Sequence, residues 1–345
     1  MAAKQTVLLL GATGTAGTEV LSGLLADDSF HVIAFTRPAS ATSPAVAKLR
    51  ERGVSIRVGE VRAPVADLVP HLKGIDILVS ALGPNAQLAQ LNWVDAAKEA
   101  GTKRFVPCGF TTISPRGGAM LIRDEKEQVH DRIFFQKVPF TIIDVGFWHQ
   151  LSFPWLPSGK ADYAITMFPV KEIYGDGNAP NLLTDMHDQG RFVARIIKDP
   201  RTLNKRVVTY SDELSQSQLW EIAERLSGET IPRNYVSKAE AEEQLRSALE
   251  AVKNAPPGDW MARAALFGAQ YNHSKFIRGD NTLENAKYLG YLDARELYPD
   301  FKPVTFEDFM RGVLAGKATK AYGGQSIEDK LGGRNAFRVE DAAVA

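Results

Sequence analysis

Cysteine is nearly absent from this 345-residue sequence, where Cys108 stands alone. One thiol forms no internal disulfide and no zinc site of its own, so disulfide-stapled secreted folds are excluded and a reducing, cytoplasmic setting is expected. Net charge is absent as well, with 41 Lys and Arg against 41 Asp and Glu. Nucleic-acid and membrane-surface binders carry a basic excess, so neither kind of partner is expected. Long apolar runs are missing: residues 7–10 are cut short by Gly11, far from a signal-peptide core or the ~20 residues of a membrane span. No His, Cys and carboxylate cluster has metal-ligand spacing, so no metal is expected, and no serine nucleophile elbow occurs.

What is present is 44% hydrophobic and 24% charged residues, enough for one large domain and a smaller one. Short apolar runs at 6–10, 31–35, 55–58, 75–79, 104–106 and 140–145 alternate with helical spacing, as in Val20, Leu21, Leu24 and Leu25. Near-continuous apolar strands separated by helices belong to a parallel sheet covered on both faces. Right-handed crossovers then give an α/β fold, a Rossmann-like doubly wound parallel sheet. Beyond Val145 the alternation fades. A helix is read near 185–197, a strand that returns the chain to the sheet at 206–210, and helices at 218–226 and 239–252. From Lys317 onward glycine and charge dominate without periodicity.

The most informative motif is Leu10-Gly11-Ala12-Thr13-Gly14-Thr15-Ala16-Gly17, between the first strand and the first helix. Gly11 suits a tight turn, Gly14 a close approach of backbone to pyrophosphate, and Gly17 close helix–sheet packing. The helix N-terminus offers free N–H groups to an anion. The spacing is G-x-x-G-x-x-G, a departure from the commoner G-x-G-x-x-G. Twenty residues past Gly17, where an NAD enzyme places a carboxylate, stands Arg37. A guanidinium there suits a 2′-phosphate, and Lys48 on the next helix adds a second positive charge, so NADP(H) is the expected cofactor. Residues 1–150 then form the NADP(H)-binding domain, rejoined at about 184–212. Residues 151–183 and 213–316 form a smaller, more helical C-terminal substrate lobe, and 317–345 a tail.

Several stretches resemble the NmrA-like and isoflavone-reductase-like branch of atypical short-chain dehydrogenase/reductases. They include the glycine turn, Thr36-Arg37-Pro38, Gly101-Thr102-Lys103-Arg104-Phe105-Val106-Pro107, Val138-Pro139-Phe140-Thr141, Gly175-Asp176-Gly177-Asn178 and Asp199-Pro200-Arg201. Pro107-Cys108-Gly109-Phe110 and Ile143-Asp144-Val145-Gly146-Phe147 are closest to fungal secondary-metabolism members. The resemblance implies that Lys126, thirteen residues before Pro139, contacts the nicotinamide ribose and acts as general acid or base. The charged run around Lys126, taken alone, reads as a water-facing helix start. Two departures stand out. Plant members carry Pro-Ser-Glu-Phe where this chain has Pro107-Cys108-Gly109-Phe110, and the Tyr-x-x-x-Lys pair is missing because position 122 is Ile.

The expected cofactor set is Gly11, Thr13, Gly14, Thr15, Gly17, Arg37, Lys48, Ala81, Leu82, Gly83, Gln90, Cys108, Gly109, Phe110, Lys126, Val145, Gly146 and Phe147. Phe110, Trp148, His149, Trp155 and Tyr163 are candidate walls of an aromatic-substrate pocket; core packing is the alternative for about half of the cluster Phe110, Phe147, Trp148, Trp155 and Tyr163, and a structural or surface histidine is the alternative for His149 and His130. His130, four residues after Lys126, would share its helix face. The leading expectation is an NADPH-dependent reductase of a small aromatic or polycyclic secondary metabolite, monomeric or homodimeric. A non-redox rearrangement on the cofactor-bound scaffold and a redox-sensing regulator remain open beside it.

Overall fold

The computed structural model describes residues 4–322 except 167, 257 and 258. The chain runs through β1 (Gln5–Leu10), α1 (Thr15–Leu25), β2 (Phe30–Thr36), α2 (Pro44–Glu51), β3 (Ser55–Val58), α3 (Val65–Leu68), β4 (Ile77–Ser80), α4 (Gln90–Ala100), β5 (Arg104–Val106), α5 (Leu121–Gln136) and β6 (Thr141–Asp144). It continues through β7 (Phe147–Trp148), β8 (Glu172–Tyr174), β9 (Asn181–Thr184), α6 (Met186–Lys198), β10 (Lys205–Val208), β11 (Asp212–Leu214), α7 (Gln216–Ser227) and β12 (Asn234–Val236). Then come α8 (Lys238–Asn254), α9 (Trp260–Asn272), α10 (Leu283–Tyr288), β13 (Tyr291–Asp293), α11 (Ala294–Leu297) and α12 (Phe306–Leu314).

The first five strands lie parallel in the order β3-β2-β1-β4-β5. A parallel bridge between Phe105 and Phe140 carries the sheet on to β6, β10 and β13, also parallel. Alternate residues of β1 explain its unbroken apolar run. Val7 and Leu9 pack with α1 and α6 residues such as Leu21 and Phe192, while Leu8 and Leu10 pack with Trp93 of α4 and Val129 of α5. The doubly wound sheet expected from the sequence is therefore present. The strand order reverses between β1 and β4, which opens a crevice at their C-terminal ends.

The returning strand, read at 206–210, is β10 at Lys205–Val208. Residues 291–293, read from sequence as part of the helical lobe, instead form the outer strand β13. A separate core gathers Phe153, Leu156, Leu219, Trp220, Phe306 and Met310, chiefly from α7, α12 and the segment after β7. Of the residues read as a tail, Ala318 and Ala321 hydrogen-bond to Tyr163 and Thr166, and 323–345 lie outside the described residues.

Helices α1 and α6 approach through glycine. A Cβ on Gly190 would sit 1.8 Å from the Glu19 carbonyl oxygen, and one on Gly23 would sit 2.1 Å from the Gly190 oxygen. Helix propensity alone favours Gly190→Ala by up to about 1 kcal/mol. Backbone overlap at 1.8 Å outweighs that gain. Gly190→Ala is expected to destabilise by about 1–3 kcal/mol, read as a lowered midpoint of urea unfolding. An unchanged or raised midpoint would contradict this packing.

Candidate active site

The turn after β1 is built as its glycines suggest. Gly11 has φ +77°, and a Cβ there would meet the Ala81 oxygen at 2.6 Å. A Cβ on Gly17 would meet the Gly11 oxygen at 2.0 Å, so only glycine lets α1 start this close to the turn. A Cβ on Gly14 would meet nothing nearer than 3.4 Å, which leaves its outer side open to a ligand. Gly14 caps α1 without a side-chain acceptor, and the first turn holds no carboxylate. Its free N–H groups and the helix dipole therefore favour an anion.

These elements open onto a cleft of about 390 Å³ lined by Gly14, Thr15, Arg37, Ala81, Leu82, Gly83, Cys108, Gly109, Phe110, Lys126 and Trp148. Gly11, Thr13 and Gly17 shape the turn and are not part of that lining. Arg37 follows β2, is exposed, and has no carboxylate partner among the described residues. Lys48 is exposed on α2 and does not line the cleft. The uncapped helix, the open face at Gly14 and the unpaired Arg37 suit a dinucleotide carrying an extra phosphate.

Lys126 is only 4% exposed. Its ammonium donates to the Cys108 carbonyl at 2.7 Å and to Gln87 Oε1 at 3.3 Å, and no carboxylate neutralises it among the described residues. The water-facing reading of its charged run is thus corrected: Arg123, Lys126 and Glu127 are all buried. Cys108 packs as a small buried group, its Sγ donating to the Leu82 carbonyl at 3.1 Å. Next to it, Phe110 adopts φ +42°, unusual for a residue with a Cβ, and strain of about 1–3 kcal/mol of this sort concentrates at working sites.

Other sequence candidates lie elsewhere. Gln90 is fully buried, accepting from the Cys108 N–H at 2.8 Å and donating to the Gln87 carbonyl, so it braces the cleft wall from behind. Val145 and Gly146 do not line the cleft, and Phe147 lines a neighbouring cavity. His149 is a core histidine: its Nε2 lies 2.9 Å from Ser211 Oγ, and its ring packs on Phe306 and Phe309. Trp155 sits under the Lys171 ammonium and Tyr163 is tied to the Val313 carbonyl; neither lines the cleft or that cavity. His130 is fully buried and does not line the cleft; its Nδ1 lies 3.2 Å from Glu127 Oε1, and burial lowers its pKa.

Sequence reasoning missed Ala16 and residues 84–86 beside the expected positions, and Thr111, Ile122, Tyr271 and Tyr322 across from them, all of which line the cleft. The Tyr271 hydroxyl pairs with Thr111 Oγ1 at 2.8 Å, and burial raises its pKa. Tyr271 comes from α9, far along the chain, and no local motif marks it. Among the described residues no helix is long and apolar enough to cross a membrane, and no cluster of three potential metal ligands occurs.

The comparisons with known proteins cover nearly the whole fold. The chain is 39% identical over 313 residues to asnovolin J 5',6'-dehydrogenase of Aspergillus novofumigatus (strain IBT 16806), covering 90% of this chain and 95% of that protein. It is 30% identical over 327 residues to a phenylcoumaran benzylic ether reductase of Ginkgo biloba, covering 89% and 98%. The binary complex of leucoanthocyanidin reductase with NADPH from Vitis vinifera superposes with a TM-score of 0.73 at 28% identity, over 90% of this chain and 99% of that one. The model of the NmrA-like family matches residues 3–310, and the chain belongs to that family.

Proposed function

We propose that this protein is an NADPH-dependent reductase of a small aromatic or polycyclic secondary metabolite, acting on a conjugated C=C, C=N or C=O group. One observation carries the reading. One cleft at the C-terminal edge of the parallel sheet joins an uncapped helix N-terminus, Arg37 and a buried Lys126, neither of which has a carboxylate partner among the described residues. The relatives named as a dehydrogenase and as a reductase, and the NADPH complex of a similar fold, support it.

When bound, the nicotinamide supplies the hydride. The chain's own residues do the rest. The N–H groups at the start of α1 hold the pyrophosphate, and Arg37 takes the 2′-phosphate through its planar donor fork. Lys126, steadied by the Cys108 carbonyl and Gln87, holds a proton at Nζ for the atom that gains electron density. Trp148, Phe110 and Tyr271 supply ring faces that exclude water from a flat substrate.

NADPH oxidation followed with a panel of ring-bearing enones, ketones and imines tests the reading. Cofactor consumption matched by product supports it, and product formed with no NADPH consumed contradicts it. Arg37→Ala is expected to raise the Kd for NADPH by roughly ten- to hundredfold while leaving that for NADH nearly unchanged. Equal losses for both cofactors in fluorescence titrations would remove Arg37 from phosphate recognition.

A further inference from the structure

A second cavity, of about 410 Å³, lies beside the cleft. The rings of Phe147, which lines the cavity, and Tyr271, which lines the cleft, meet between the two with centroids 5.5 Å apart. The wall of this cavity is largely apolar, with Leu151, Val170, Leu219 and Phe276 beside Phe147. Set in that wall is Lys275, only 3% exposed. Its Nζ lies 3.4 Å from the centroid of the Phe147 ring and 4.6 Å from that of Phe276. Among the described residues no carboxylate or other acceptor is bonded to it. The other charged residues of the wall are occupied. Glu172 accepts from the Tyr174 hydroxyl at 2.9 Å, and Lys171 lies 4.1 Å over the Trp155 ring.

The local backbone is unusual too. Residues His273–Ile277 form a turn of π-helix at the end of α9, a device enriched at functional sites. The turn is pinned by Ser274 Oγ donating to Asp280 Oδ2 at 2.7 Å. An ammonium this buried, with ring faces beside it and no bonded acceptor among the described residues, lacks acceptors that it would have in solvent. Burial pushes Lys275 down to about 7. An anionic oxygen entering the cavity would restore a charged partner.

We propose that Lys275 is an anion-recognition point, so that the ring-bearing substrate carries an acidic oxygen, a carboxylate, phenol or enol, at the end remote from the bond being reduced. Lys275 is separated from the cleft by Phe147 and Tyr271, so it selects the substrate and does not touch the reacting atoms. This inference rests on the reductase reading, which places the reacting end in the cleft.

Calorimetric titration of the NADP⁺-saturated protein at pH 7 with naphthalene-2-carboxylate and with naphthalene-2-carboxamide tests it. The carboxylate is expected to bind roughly ten- to hundredfold tighter, as a charge-assisted hydrogen bond implies. Its binding should also take up protons, read from two buffers of different ionisation enthalpy, because part of the Lys275 population is neutral beforehand. In Lys275→Met both the preference and the uptake vanish while the carboxamide still binds; methionine suits this apolar wall, so the variant folds. Equal affinities in the natural protein, uptake that persists in the variant, or binding of neither probe overturns the proposal. An NADP⁺ titration of the same samples separates the two readings. Absent cofactor binding contradicts the reductase itself, and intact cofactor binding without anion preference contradicts only the role of Lys275.

Discussion

Lys126→Met is expected to lower kcat by roughly 10²–10⁴-fold, the usual contribution of a positioned general acid or base. The Kd for NADPH should change by no more than about tenfold, the worth of one hydrogen bond. The asymmetry follows from placement. Lys126 lines the cleft with its ammonium set on the Cys108 carbonyl and Gln87, whereas phosphate binding falls to the start of α1 and to Arg37. Methionine keeps the unbranched apolar stem and removes the ammonium with its charge and donors. Single-turnover rates and cofactor titrations on the same preparation separate the two effects. Unchanged turnover would remove Lys126 from the mechanism, and a loss confined to cofactor affinity would make it a binding residue only.

The largest effect on stability is expected from Arg123→Met. Arg123 is 1% exposed and donates to Asp144 Oδ2 at 2.9 Å and to the Thr112 carbonyl at 2.6 Å. Asp144 is itself fully buried and also accepts from the Tyr291 hydroxyl at 2.5 Å. Removing the guanidinium strands a buried carboxylate, which costs about 3–5 kcal/mol. The double variant Arg123→Met with Asp144→Asn should recover part of that loss, because the orphaned charge is gone. Urea unfolding measures both, and a single variant as stable as the natural protein would show that the pair contributes nothing.

This network has a functional side. Glu127 on the same helix bonds Arg206 of β10 at 2.9 Å, and Arg206 also reaches Tyr291 of β13. Helix α5 is thereby clamped to β6, β10 and β13, and that fixes the rotation which aims Lys126 into the cleft. Burial pushes the Glu127 carboxyl up, but the neighbouring His130 and the hydrogen-bonded Arg206 guanidinium overcome it and hold the group well below the usual carboxylate range. A depressed folded-state pKa adds stability above the ordinary carboxylate value, and that stability is lost as pH falls toward the depressed one. Acid should therefore loosen α5 and the site together.

The same residues explain what was legible in the sequence. The glycine turn, Arg37 and the first six strands depend on local pattern, since apolar runs and turn chemistry act within a few residues. Burial of Lys126 depends on partners up to 39 residues away, Gln87 and Cys108, and burial of its neighbours on Asp144 and Arg206. Nothing local distinguishes such a charged run from one that faces water. Strand β13 escaped because three residues, Tyr-Leu-Asp, carry no readable period and gain strand character only by pairing with β10. Tyr271 and Lys275 lie on one stretch of α9 and its π turn, and only the fold brings that stretch to the sheet edge. His149, Trp155 and Tyr163 line neither the cleft nor the cavity beside it, and the sequence could not show this for the opposite reason. Aromatic composition marks burial, but not which side of a wall a ring faces.

Hydride transfer by this protein is tested most directly with NADPH deuterated at its transferable position, incubated with the purified protein and a metabolite extract of the producing organism. Mass spectra would be compared with a control lacking the protein and with one containing Lys126→Met. A new ring-bearing product that carries one deuterium, and is much reduced with the variant, is expected. A new product without deuterium, formed while NADPH stays intact, would contradict it.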